Sequence, residues 1–317
     1  MRRIGMIALA LAGLLALGAC ARGDIPWTTL EAKYASPASK YADLPGGLRV
    51  HYRDEGNAAG PPVVLVHGFA ASLHAWEPWR ARLGKDYRVI SLDLPGHGLT
   101  RAPSGYIAST DGNIAVLDEL THRLSAARFV LAGNSMGGGV AWNYALQHPD
   151  RLRGLILVDS VGWPSPRKKG DGPPAIFKLL SNPAGRAVLK SLDPTPLAKR
   201  GLAQAYVDPT LVTPELIARY TDMSRAPGHR DILLTMQNRG RTPVTAETFA
   251  AIHTPTLVMV GEGDKVIPPA QSRSLAAAIP GAKLVAYPGV GHVPMEQIPD
   301  RSAADVLAFL KALPPTP

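Results

Sequence analysis

Residues 133–137 read Gly133-Asn134-Ser135-Met136-Gly137, and the apolar run Phe129-Val130-Leu131-Ala132 leads directly into them. A serine hydroxyl is a weak nucleophile and must be presented openly to a base and a substrate. A strand that turns sharply into a helix does this, at the cost of a strained backbone at the serine. Small residues must flank such a turn, and Gly133 and Gly137 meet that requirement. The helix N-terminus that follows aims free N–H groups and a positive dipole end at the place where an oxyanion would form.

A nucleophilic serine needs a base and an acid. His292 lies in Gly289-Val290-Gly291-His292-Val293-Pro294, and Asp264 in Gly261-Glu262-Gly263-Asp264-Lys265-Val266. Each follows a predicted strand, and ligand sites of parallel sheets lie beyond the carboxyl ends of the strands. The expected division of labour is attack by Ser135, proton transfer by His292, and orientation of the imidazole by Asp264. Asp159 also ends a strand and is a rival acid. Asp264 is favoured because Pro268-Pro269 can fix its loop and because it is nearer His292 in sequence. Two oxyanion donors are expected, the N–H of Met136 and the N–H of Phe69, the latter in the loop His67-Gly68-Phe69. His67 is read as a support for that loop, and Asp93 and His97 as loop-bracing residues.

The elements that must position these groups are legible as alternating patterns. Leu48–Arg53 alternates apolar and polar residues, as a half-exposed strand does. Pro62–His67, Tyr87–Asp93, Arg128–Gly133, Leu152–Asp159, Thr256–Gly261 and Lys283–Tyr287 read as strands, the continuous apolar runs among them suiting burial on both faces. Helical spacing appears over Ser72–Leu83, Gly112–Leu124, Gly138–His148 and Ala303–Leu313. This alternation predicts an α/β fold with a doubly wound, mostly parallel sheet. Between residues 162 and 254 prolines are frequent and short helical pieces (Ile176–Leu180, Pro214–Arg225, Asp231–Asn238) replace strands. That segment is expected to be an α-helical cap inserted into a core of residues 46–161 and 255–317.

Taken together, His67-Gly68-Phe69, Asp93-Leu94-Pro95-Gly96-His97-Gly98, the serine turn, Gly261-Glu262-Gly263-Asp264 and Gly291-His292 resemble the α/β-hydrolase fold superfamily in its motif order. The resemblance runs from about Leu48 to Leu313. It implies a serine hydrolase with a helical cap and no cofactor. Carboxylic ester cleavage through an acyl-enzyme is the expected reaction. Gly-Asn-Ser-Met-Gly-Gly also resembles hydrolases that cleave carbon–carbon bonds of ring-fission products, although Val293 stands where many of those carry Trp. A catalytically silent binding protein on the same fold is the third alternative.

The N-terminus carries an address. Arg2-Arg3 precede an apolar run from Ile4 to Ala19, too short to span a bilayer and suited to a signal peptide. It ends in Leu17-Gly18-Ala19-Cys20, which looks like a bacterial lipoprotein box, and Cys20 is the only cysteine of the chain. Residues 1–19 are therefore expected to be cleaved, Cys20 lipidated and residues 20–45 a tether. The expected location is the bacterial cell envelope, with the outer membrane facing the periplasm favoured because Ala21-Arg22, not Asp, follows the cysteine. No intrachain disulfide can form. The net charge is +9, and Arg167-Lys168-Lys169 opens the cap, but no aromatic–basic interleaving suggests nucleic acid. The absence of Cys/His clusters and of a phosphate-binding glycine loop gives no sign of a metal or nucleotide. A small-molecule ester and a membrane are the expected partners.

Overall fold

The structure, a computed structural model, describes residues 23–164, 182–236 and 244–314. Its elements begin with helix α1 (Trp27–Tyr34) and strands β1 (Ser39–Leu44), β2 (Leu48–Gly56) and β3 (Pro62–Val66). Helix α2 (Glu77–Leu83), β4 (Arg88–Leu92), α3 (Thr110–Arg123), β5 (Phe129–Asn134), α4 (Met136–Gln147) and β6 (Leu152–Val158) follow. The inserted segment holds α5 (Pro183–Ser191), α6 (Thr195–Ala205), α7 (Pro214–Ser224), α8 (His229–Thr235) and α9 (Ala246–Ala250). The chain then re-enters the sheet with β7 (Thr256–Gly261), α10 (Pro269–Ala278), β8 (Lys283–Tyr287), α11 (Pro294–Gln297) and α12 (Pro299–Lys311).

The eight strands lie in the order β1-β2-β4-β3-β5-β6-β7-β8. β1 and β2 are antiparallel, and every pair from β4 onward is parallel. This is the doubly wound, mostly parallel sheet that the alternating sequence implies. Both faces are covered, which explains the unbroken apolar runs. Val64, Val66, Leu131 and Leu157 pack with α3, α4 and α10 on one face. Their neighbours Val63, Leu65, Ala132 and Val158 pack with Trp76, Trp79, Val306 and Phe309 on the other. Among the described residues, the inserted segment contributes no strand to the sheet, and it is inserted between β6 and β7.

The expected tether needs correction over its described part, residues 23–45. Trp27, Leu30 and Tyr34 recur at helical spacing, form one face of α1 and bury Leu30 against Leu99 and Ala226. β1 extends the sheet edge. The same segment binds the insertion directly: Ile25 N–H donates to the Arg225 carbonyl at 2.8 Å, and Lys33 pairs with Asp222 at 2.8 Å. Glu31 pairs with Arg101 at 2.6 Å, so the segment joins core to cap. The expected signal peptide, Cys20, the Ile176–Leu180 helix and Arg167-Lys168-Lys169 lie outside the described residues. No helix among the described residues is long and apolar enough to cross a membrane.

Candidate active site

Ser135 sits between β5 and α4 with φ 54° and ψ −115°. A non-glycine residue reaches this region only when its surroundings over-determine it. Here they do. Ser135 N–H donates to the Val158 carbonyl at 3.0 Å, and its own carbonyl accepts from Gly139 and Val161, each at 3.1 Å. A Cβ on Gly133 would strike the Gly137 carbonyl, and one on Gly137 would strike the Val66 and His67 carbonyls. Glycine at both places is a steric requirement of the turn. The side chain of Ser135 is presented at the N-terminus of α4, where first-turn N–H groups have no acceptor within the helix.

The His67–Phe69 loop lies against this turn. A Cβ on Gly68 would come within 3.2 Å of Ser135 Cβ. Met136 opens α4, and Phe69, whose side chain is 54% exposed, follows Gly68. Both expected oxyanion donors therefore belong to segments that adjoin the serine. His67 is fully engaged elsewhere: Nδ1 donates to the Gly68 carbonyl at 2.7 Å, and Nε2 accepts from Leu94 N–H at 3.0 Å. Burial lowers its pKa and keeps it neutral. It acts as a brace between two loops, as the sequence suggests.

His292 and Asp264 meet. His292 Nδ1 lies 2.7 Å from Asp264 Oδ2, and both residues are buried. Asp264 Oδ1 accepts two backbone N–H bonds, from Val266 at 2.6 Å and Ile267 at 3.0 Å, which fix the orientation of the carboxyl group. Asn134 was not singled out by sequence. Its side-chain amide donates to the His292 carbonyl at 3.0 Å and to the Val158 carbonyl at 3.2 Å, tying the serine turn to the histidine loop. The signal was present as the residue before the serine, but nothing in a single sequence says where its amide points.

The inserted helices also hold the histidine. His292 N–H donates to the Ala205 carbonyl of α6 at 2.7 Å. Glu296 in α11 accepts from Tyr206 and pairs with Arg219 of α7 at 3.0 Å. Two surface clefts, lined by Lys199, Ile217 and Arg225 and by Trp27, Tyr106 and Ile232, do not include Ser135 or His292.

Asp159, the rival acid, is wholly buried and stands close by: Asp159, Asp264 and His292 present side-chain atoms within 4.8 Å of one another. That trio is the one group of described residues close enough to share a metal ion. Of the two imidazole nitrogens, Nδ1 is engaged by Asp264.

A second Ser-His-Asp arrangement went unnoticed in the sequence. Ser39 Oγ lies 2.8 Å from His51 Nε2, and His51 Nδ1 lies 2.7 Å from Asp93 Oδ2. Asp93 also accepts from Leu73 N–H at 2.7 Å and Leu99 N–H at 2.9 Å. Burial opposes its charge, but the His51 hydrogen bond and the surrounding imidazoles hold its carboxyl well below the usual range. Ser39 belongs to a regular edge strand paired with Arg53, with no helix behind it. His97 packs its ring 4.9 Å from that of His67, and burial keeps it neutral. Asp93 and His97 brace loops.

Known proteins carry the same framework. Residues 61–298 match the family described as alpha/beta hydrolase fold. The chain is 30% identical over 276 residues to 2-hydroxymuconate semialdehyde hydrolase of Pseudomonas sp. strain CF600, covering 83% of this chain and 90% of that protein. It is 27% identical over 281 residues to Lipase 1 of Psychrobacter immobilis, covering 86% and 84%. The solved thermophilic esterase of Thermogutta terrifontis superposes with a TM-score of 0.72 at 30% identity, covering 86% of this chain and 98% of that one. With the strained serine turn, the strand order and this extent of similarity together, the chain belongs to the alpha/beta hydrolase fold family.

Proposed function

We propose that Ser135, His292 and Asp264 form a catalytic triad that hydrolyses carboxylic esters. The observation that carries this reading is the buried 2.7 Å His292–Asp264 pair, linked through Asn134 to the turn that presents Ser135. Ser135 Oγ attacks the ester carbonyl while His292 Nε2 takes its proton. The N–H groups of Met136 and Phe69 receive the oxyanion. Collapse expels the alcohol, which leaves with the proton from His292, and an acyl-enzyme remains. Water, deprotonated by His292, then releases the acid and restores the serine. Similarity to Lipase 1 and to the esterase supports this chemistry.

A second reading is carbon–carbon hydrolysis of a vinylogous diketone, which the 30% identity to the semialdehyde hydrolase favours. A panel of p-nitrophenyl esters of increasing chain length, run beside such a diketone, separates the two. Turnover of esters by purified protein is expected; turnover of the diketone alone would replace the first reading with the second. The same proposal places the protein on the cell envelope through a lipid at Cys20. Palmitate labelling that disappears in Cys20→Ala is the expected result, and labelling that persists would refute the anchor.

A further inference from the structure

Behind the histidine the chain buries a carboxyl that the triad does not use. Asp159 directly follows β6 with φ 43°, an uncommon conformation for a residue with a Cβ, and is 0% exposed. Its N–H donates to the Met259 carbonyl at 2.9 Å, and its Oδ1 accepts from Gly261 N–H at 3.0 Å. Oδ2 is buried and no N–H or hydroxyl donor of the described residues reaches it, which leaves the Asp264 carboxyl as its polar neighbour. Asp264 and His292 stand within 4.8 Å of it. Tyr287 on β8 gives its hydroxyl proton to Asp305 at 2.8 Å, so it is not a donor to Asp159.

Two carboxylates this close, both out of water, cannot both ionise without a large cost. The donors decide which one keeps its proton. Asp264 accepts from Val266, Ile267 and His292, three donors that stabilise its anion. Asp159 accepts from one backbone N–H. An unpartnered buried oxygen is expensive as a carboxylate and tolerable as a hydroxyl facing an acceptor.

We propose that Asp159 is a positioning residue, a neutral carboxylic acid that faces Asp264, steadies its carboxylate and keeps the acid pair behind His292 at a single negative charge. Burial, the neighbouring Asp264 charge and a hydrogen bond with the Asp264 side chain push the Asp159 carboxyl well above its usual range, and only the Gly261 N–H opposes them. The consequence falls on the base. A second negative charge would stabilise the imidazolium and leave less of the free base near neutrality. A neutral Asp159 lets the chain bury two acids beside one histidine without that penalty. The role rests on the triad reading, and its test is chosen to stand apart from any particular substrate.

Infrared spectra of wild type and Asp159→Asn at neutral pH give the first readout. The wild-type-minus-variant difference is expected to contain the C=O stretch of a protonated carboxyl. A difference without that band would overturn the proposal. The second readout is the pH profile of fluorophosphonate labelling at Ser135. Asp159→Asn, which keeps a neutral donor in place, is expected to slow labelling about threefold and to leave the acid limb within about 0.3 pH unit. Asp159→Ala is expected to slow it about thirtyfold, so that the amide rescues most of the loss. An acid limb that falls by a unit or more in Asp159→Asn would mean that a negative charge had been removed, and would sink the proposal. An Asp159→Ala protein that labels as fast as wild type would do the same. A wild type that resists labelling would overturn the hydrolase reading, while the infrared band would still decide where the proton sits.

Discussion

The molecule contains two buried histidine–aspartate pairs, one hydrogen-bonded to Ser39 and one tied through Asn134 to the turn that presents Ser135, and the pairs share their central geometry. In each, a histidine Nδ1 lies 2.7 Å from an aspartate Oδ2 in the interior. What surrounds the pair differs. Ser39 sits in an ordinary strand and already accepts from Ser36 N–H at 3.0 Å, with His51 fully buried. Ser135 sits in a strained turn at a helix N-terminus, beside the Gly68 loop. The Ser39 group closes the gap between β1, β2 and the loop after β4. It lacks the strained turn, the helix N-terminus behind the serine and the adjoining glycine loop that accompany Ser135. Presentation of the nucleophile and stabilisation of charge in the transition state supply most of an enzyme's rate, so on the proposed reading Ser135 is the serine expected to react.

Substitutions can break this comparison. The largest expected effect is on the serines: Ser135→Ala should lower kcat by about 10⁶-fold, to the limit of an ester assay, with Tm little changed. Ser39→Ala should leave kcat within about twofold and cost about 1 kcal/mol of stability, read by denaturant unfolding. Equal losses of kcat would erase the distinction. The acids should separate along a different axis. Asp264→Asn should cost on the order of 10³-fold in kcat. Asp93→Asn should destabilise by about 3 kcal/mol, because Asp93 is a buried acid that collects two N–H groups and a histidine, but should leave kcat within about tenfold, because its histidine does not face Ser135. A kcat that falls further in Asp93→Asn than in Asp264→Asn would reverse the assignment.

Gly68→Ala gives a smaller and sharper probe. Its added methyl would meet Asn134 Oδ1 at 3.0 Å and Ser135 Cβ at 3.2 Å, so a loss of about 10- to 100-fold in kcat with the fold retained is expected. Retained kcat would show that the loop has room to yield.

The smallest effect is on the pH dependence of stability. The Asp159 carboxyl is raised in the folded protein, so above about pH 4, the unfolded value, the unfolded chain has lost a proton that the folded chain keeps. Stability contributed by this group is present below that pH and is lost as pH rises toward the folded pKa. Asp159→Asn removes the loss, so its Tm relative to wild type should rise between pH 5 and 8. A relative Tm that falls over that interval would contradict a neutral Asp159.

Much of this was legible in the sequence, for physical reasons. The strands that carry Ser135 and Asp159 are continuous apolar runs, because a sheet covered on both faces demands them, and the serine turn shows its glycines because no other residue fits. The histidine and acid loops were visible as glycine-flanked polar residues after strands. The N-terminal helix was hidden in mixed composition: Trp27, Leu30 and Tyr34 make a short apolar face that matters only once α7 and the Leu99 loop lie against it. The Asn134 link, the Ala205 contact and the Ser39 arrangement depend on residues far apart in the chain, and no local spacing encodes them.

The central claim is that one of two similar serines reacts. The direct measurement is labelling of the full chain with a fluorophosphonate, followed by peptide mass spectrometry. The account predicts a single stoichiometric adduct on the peptide containing Ser135, absent in Ser135→Ala and in a histidine-blocked His292→Ala protein. An adduct on Ser39, or an unlabelled Ser135 in folded protein, would contradict it.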